Sequence, residues 1–201
     1  PPRSTLFPYT TLFRSGVDVL GFIGQHAMAG TLNGLFDHTG NPKTICRVTV
    51  NGIEQGEPGM MALYAGHYGI PVFYGSGDQA FCEEVQRAFP HAGTTPTKRG
   101  TGWATCELYP LQRVYQNIRR DIAQALRQAP HRSKAYRLEH PLQVRIEFAW
   151  SEFADRIAAV PNVRRDHARI VSWEIASPLD IYMHPCAEWT PPAASSSKEE
   201  N

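Results

Sequence analysis

Apolar positions along the chain recur with two different spacings. Val17 to Ile23 is a largely apolar run broken by Gly21, of the length of a buried strand. Cys46, Val48 and Val50 alternate with polar residues on a second strand, which ends at the turn pair Asn51-Gly52. The spacing then changes: Met61, Tyr64, Ala65 and Tyr68 repeat at i, i+3, i+4 and i+7. Gly56-Glu57-Pro58 precedes that stripe as a helix start, and Gly69 stands where a C-terminal cap belongs. Ile70 to Tyr74 reads as a strand, Gly75-Ser76-Gly77 as the turn out of it, and Asp78 as the cap of a helix with Phe81, Val85, Ala88 and Phe89 inward.

Pro110 opens the longest helix, with Leu111, Val114, Ile118, Ile122 and Ala125 inward and Arg113, Arg119, Arg120 and Arg127 towards water. Leu142, Val144, Ile146 and Phe148 alternate strictly with Gln143, Arg145 and Glu147, which predicts a strand with one dry face. Ser151 caps a short helix, and Val163 to Ile175 reads as one further strand. Strands and helices interleave through most of the chain. The pattern predicts an α/β fold: a sheet of mostly parallel strands with helices on its faces, plus a C-terminal α+β portion.

The ends differ from this pattern. Residues 1–15, PPRSTLFPYTTLFRS, carry the near-repeat TLFPY and TLFRS, show neither period, and resemble a translated sequencing adapter; they are expected to be a foreign leader replacing a natural N-terminus. Residues 16–187 form the expected domain. Residues 188–201, within a Pro/Ala/Ser-rich and then charged stretch, are expected to be a disordered tail.

Composition narrows the classes. With 201 residues, 42% hydrophobic and 19% charged, the chain can bury a core without staples. Lys+Arg 20 against Asp+Glu 19 leaves a formal charge of +1, no basic field for nucleic acid. The uncharged stretches Val19–Phe36 and Pro58–Gly77 contain four and five glycines with His26 and His67, so both read as core with tight turns rather than membrane spans. Cys46, Cys82, Cys106 and Cys186 are too widely spaced for a redox pair or a thiolate metal site, and reduced thiols in a cytoplasmic protein are expected.

Functional groups in α/β sheets gather in loops beyond the carboxyl ends of strands. The loop after Ile23 holds His26 and His38, and Glu57 opens the helix after the next strand, which gives two metal-ligand types and a titratable base in a short span. The residues alone leave alternatives open. A His-x11-His pair also suits imidazoles held by backbone partners, and a carboxylate in a first helical turn offsets the macrodipole. His67 suits the last turn of its helix for the same reason, and Lys98-Arg99 reads as two solvated cations in a Gly/Thr-rich loop. His91, His131, His140, His167 and His184 show no spacing that suggests a site.

Three motifs in order, GQHAMAGTLNGLFDHT from Gly24, Asn51-Gly52 with Gly56-Glu57-x-Gly59, and AGHYGIPVFYGSGD from Ala65 to Asp78, resemble the DppA-type zinc D-aminopeptidases. PLQVRIEFAWSEFADR, Pro141 to Arg156, is similar to that family's later strand and helix, and the resemblance spans about residues 17–185. It implies a metallo-aminopeptidase that hydrolyses short peptides with an N-terminal D-residue, such as D-alanyl peptides, in a ring-shaped homo-oligomer, with two Zn2+ ions per subunit. Carried over by position, it makes His26 and Glu57 metal ligands and His38 a catalytic residue that does not bind metal. The family's aspartate and glutamate in an S-x-D-x-E-G strand end, and its histidine in N-D-x-H, have no counterpart here. The chain therefore keeps two of the expected ligands, an open and under-coordinated site, and is expected to be an incomplete, weakly active or inactive fragment. Two other readings stand beside this one: a non-catalytic α/β binding or scaffold protein that has lost the metal site, and a metal-dependent amidase or esterase of other specificity.

Overall fold

The computed structural model describes residues 16–181. The expected leader and tail, with His184 and Cys186, lie outside the described residues. Two sheets share the chain. The first contains β1 (Leu20–Gln25), β4 (Val72–Asp78), β5 (Gly93–Gly102) and β6 (Thr105–Leu108), in that spatial order. β1 and β5 both run parallel to β4, and β6 returns antiparallel to β5. The second sheet is antiparallel throughout, in the order β3 (Ile53–Glu54), β2 (Ile45–Val50), β7 (Leu142–Phe148), β9 (Ile170–Ile175) and β8 (Arg164–His167). The expected mostly parallel sheet and the α+β portion are both present, and the latter recruits β2 and β3 from the N-terminal half.

Four α-helices and a short 3-10 helix (Pro178–Ile181) complete the described chain: α1 (Glu57–His67), α2 (Gln79–Ala88), α3 (Leu111–Arg132) and α4 (Ser151–Ala158). Pro58 in the first turn and Gly69 at φ +78° just past Tyr68 delimit α1, as the punctuation predicts. Its burial exceeds the predicted stripe. Met60 and Leu63 enter the core of the second sheet, Ala62 that of the first, and Tyr64 and Ala65 a third cluster with Ile70. A helix packed between two sheets is apolar nearly all round.

Several expectations need correction. Gly75-Ser76-Gly77 is not a turn but the end of β4. A Cβ on Gly75 would press Val85 and Phe81 of α2, and one on Gly77 would overlap the carbonyl of Gln25 on β1, so these glycines permit close packing. β2 carries a bulge between Ile45 and Arg47 that leaves Cys46 exposed and puts Ile45 in the core with Val48 and Val50. Val163 to Ile175 is a hairpin, β8 and β9, broken at Ala168-Arg169. Trp150, not Ser151, is the N-cap of α4, and no side chain bonds there.

The segment containing Lys98-Arg99 is a strand. Inside β5, Thr95 is buried and bonds Asp121 of α3 at 2.8 Å, while Arg99 is paired with Glu107 of β6. Gly93, opposite Tyr74, faces Ala125 of α3, and Gly75 faces α2, so helices cover both faces of the first sheet. β1 has one partner among the described residues, and Ile23 on it is 64% exposed. No helix among the described residues is long and apolar enough to cross a membrane.

Asp78 ties this framework to the loop after β1. Fully buried, it accepts from Phe81 N–H and from Leu35 N–H, each at 2.7 Å. Asp78→Ala leaves two amides without that acceptor and should lower unfolding free energy by about 3 kcal/mol, measured by urea denaturation. Asp78→Asn, which keeps one acceptor oxygen, should lose roughly half as much.

Candidate metal centre

β1 ends at Gln25, and the chain enters the loop with His26. The loop is pinned at several points: Gly30 N–H and Ala29 N–H donate to the side chains of Asp37 and Thr39, Phe36 N–H donates to the carbonyl of Trp103, and His38 N–H donates to the carbonyl of Ala27. These bonds fold the loop back so that the imidazoles of His26 and His38 stack, with centroids 3.8 Å apart and planes 18° apart. Glu57, first residue of α1, enters from the other side, where the helix N-terminus favours a negative charge. Its Oε1 accepts from Gly40 N–H at 3.0 Å.

The three side chains converge. Glu57 Oε2 lies 3.8 Å from His26 Nε2 and Oε1 lies 3.7 Å from His38 Nε2, with side chains 22–31% exposed. One ligand atom from each lies within 4.8 Å of the others, the one such cluster of metal-binding side chains among the described residues. Every sequence-predicted site residue is therefore in one place.

The donor count at this place decides its chemistry. His26 Nδ1 sits 3.1 Å from the carbonyl of Ala27, and His38 Nδ1 sits 2.7 Å from the carbonyl of Phe36. A carbonyl only accepts, so each Nδ1 donates to it, and in the neutral form of the ring Nε2 then offers a lone pair. In that form two lone pairs and a carboxylate face one another. A cation satisfies that arrangement. The 3.7–3.8 Å spacings are close to the roughly 3.3 Å between neighbouring ligands of a tetrahedral zinc with bonds of about 2.0–2.1 Å. The imidazole–carbonyl bonds are the kind that fix the tautomer and orientation of a metal-binding histidine. The residues present thus fit one divalent ion.

A sequence profile described as D-aminopeptidase matches residues 9–184. The chain belongs to the D-aminopeptidase family. Among curated proteins, none matches its sequence. A solved structure, the Zn-dependent D-aminopeptidase DppA from Bacillus subtilis, a self-compartmentalizing protease, superposes with a TM-score of 0.78 at 23% identity. The match covers 84% of this chain and 62% of that one, so this chain spans less than two thirds of that protein's length. The likeness shows a shared α/β fold.

One residue of this D-aminopeptidase-family chain that sequence reasoning passed over stands beside the cluster. Glu84 of α2 is 4% exposed, and its Oε2 accepts from Met28 N–H at 2.8 Å. The signal was available, because Glu84 falls between Phe81 and Val85 on the inward face of an amphipathic helix. Burial pushes its carboxyl up to about 7, against the downward pull of the Met28 amide and Arg87. A carboxyl raised in this way opposes folding once ionised. Stability falls as pH rises from the unfolded value near 4.5 to the folded value of about 7, then levels off. Glu84→Gln removes that charge, so it should flatten this part of the stability-against-pH curve. At pH 8 the gain should be on the order of 2–3 kcal/mol, and at pH 4.5 it should vanish, both read by urea denaturation.

Proposed function

We propose that this chain works as a zinc-dependent aminopeptidase on short peptides that begin with a D-residue, D-alanyl peptides among them. The observation that carries the reading is the convergence of His26, His38 and Glu57, with both Nδ1 atoms facing carbonyls and both Nε2 atoms facing the carboxylate. Family membership supplies the reaction class.

In this reading His26 and Glu57 hold the metal. When bound, zinc polarises a peptide carbonyl and lowers the pKa of its water towards neutrality, which supplies a nucleophile. His38 is the catalytic side chain: stacked on His26 and anchored through Nδ1, it presents Nε2 to the hollow, where it would take a proton from the attacking water and pass that proton to the departing amine. Glu57 keeps its carboxylate in place through Gly40 N–H. A cleft of about 580 Å³, lined among others by Met28, Ile53, Pro58, Phe89 and Tyr136, opens beside the residues that flank Glu57, with room for a short peptide. The described residues offer donors for one ion, whereas the family resemblance implies two. Self-association accords with the exposed apolar side chains of Leu108, Leu111, Tyr115 and Leu126 along β6 and α3, Leu111 standing outward at the first residue of α3 rather than on the inward face expected of it.

Zinc titration of the chelator-stripped chain, with hydrolysis of D-Ala-D-Ala and L-Ala-L-Ala followed in parallel, tests the reading. The wild type should bind one zinc and release D-alanine in a chelator-sensitive way. His26→Ala and Glu57→Gln should each weaken zinc binding about 100-fold or more. His38→Ala should keep zinc within about threefold and lower turnover roughly 100- to 10,000-fold. Loss of zinc in His38→Ala would make that residue a ligand instead. Cleavage of L-peptides or esters alone would assign the site to another amidase or esterase, and a chain that takes no zinc would leave the reading without its centre.

A further inference from the structure

Glu84 belongs to none of the roles above, yet it touches both segments that deliver the donor cluster. Its Oε2 holds the amide of Met28, two residues after His26. Its Oε1 lies so near Gly56, the residue before Glu57, that a Cβ there would overlap it; the same Cβ would stand 3.0 Å from Met28 Cβ. Gly56, Met28 and Glu84 therefore form one packed contact, with Glu84 rising from α2 beneath it. We propose that Glu84 is a positioning residue, whose buried carboxylate clamps the Met28 amide and seats Gly56 and so sets the spacing between His26 and Glu57. The proposal rests on the reading of His26 and Glu57 as ligands, although the clamp itself is a property of the metal-free chain.

The chemistry explains why an acid stands on an inward face. The loop at Met28 presents an N–H that needs an acceptor out of water, and a carboxylate serves it while its second oxygen fills the space against Gly56. An apolar side chain would orphan the amide. The groups that bear on Glu84 electrostatically are Arg87 on its own helix, Asp78 at that helix's start and Glu57 on α1, two of them of like charge. A buried acid among acids is unfavourable for stability, as its raised carboxyl shows, and is the kind of local cost that a site carries for geometry. Glu84 also lines the 580 Å³ cleft, together with Met28 and Gly56.

The test compares Glu84→Ala, which removes both contacts, with Glu84→Gln, which keeps the shape and one carbonyl acceptor. Zinc affinity is read by competition titration, Met28 amide exchange and histidine ring signals by NMR on the metal-free chain, and folding by thermal melt. Glu84→Ala should weaken zinc binding about tenfold or more, speed Met28 exchange and shift the His26 ring signals, and Glu84→Gln should restore all three. Faster Met28 exchange with zinc affinity unchanged in the folded protein would reduce Glu84 to a local structural residue and overturn the proposal, as would unchanged exchange. If Glu84→Ala does not fold, Gly56→Ala intrudes on the same contact from the other side and must weaken zinc binding in a folded chain. If the wild type binds no zinc, the reading of the site fails. The clamp then stands or falls on Met28 exchange and on whether Glu84→Ala moves the His26 ring signals.

Discussion

The fold around the site holds three electron-rich groups within a few ångströms of one another, both imidazole Nε2 atoms facing one carboxylate. Each Nδ1 of His26 and His38 is bound to a carbonyl, so each ring turns its Nε2 towards Glu57. Such a cluster is unfavourable by itself and persists only where the surroundings fix it. Here those surroundings are identifiable: the N-terminus of α1 and the Gly40 amide stabilise the carboxylate, and the carbonyls of Ala27 and Phe36 hold the rings. What satisfies the cluster is positive charge, so the constraint that brings the three groups together also favours a cation among them.

The elements whose side chains obey one period were legible in the sequence. β7 shows its buried and exposed positions in strict alternation, and Asp78 caps α2 through Phe81 N–H, as expected. The segments that carry two demands were harder to read. β5 is rich in Gly and Thr and has no apolar alternation, because Thr95 is bonded to Asp121, Gly93 lets α3 approach and Gly100 lies against the loop backbone at Asn33. In β4 the glycines looked like a turn because turn and close-packing glycines have the same composition; only the positions of Phe81 and Val85 distinguish them. A bulge such as the one at Cys46 shifts the inward face by one residue and leaves no mark on the apolar count.

The site was legible in its residues but not in its supports. His26, His38 and Glu57 were identifiable as types able to bind metal, and resemblance to a family arranged them. Their convergence follows from backbone bonds that no side-chain pattern encodes, such as Phe36 N–H to Trp103 and His38 N–H to Ala27. Glu84 did leave a sequence trace, a charge on the dry side of a helix, which is a local rule broken at a place where geometry matters more than stability.

The position of α1 connects these observations. Its buried side chains reach the cores of both sheets, so its axis is fixed by packing on several sides, and Glu57 sits at its first residue. A ligand at the start of a helix held in this way has little freedom to drift. His26, by contrast, follows an edge strand with one partner among the described residues, and His38 sits in a loop. The rigid element thus supplies the carboxylate and the less constrained segments supply the imidazoles. Contacts between the two, through Gly40, Met28 and Gly56, are accordingly where the spacing of the donors is set.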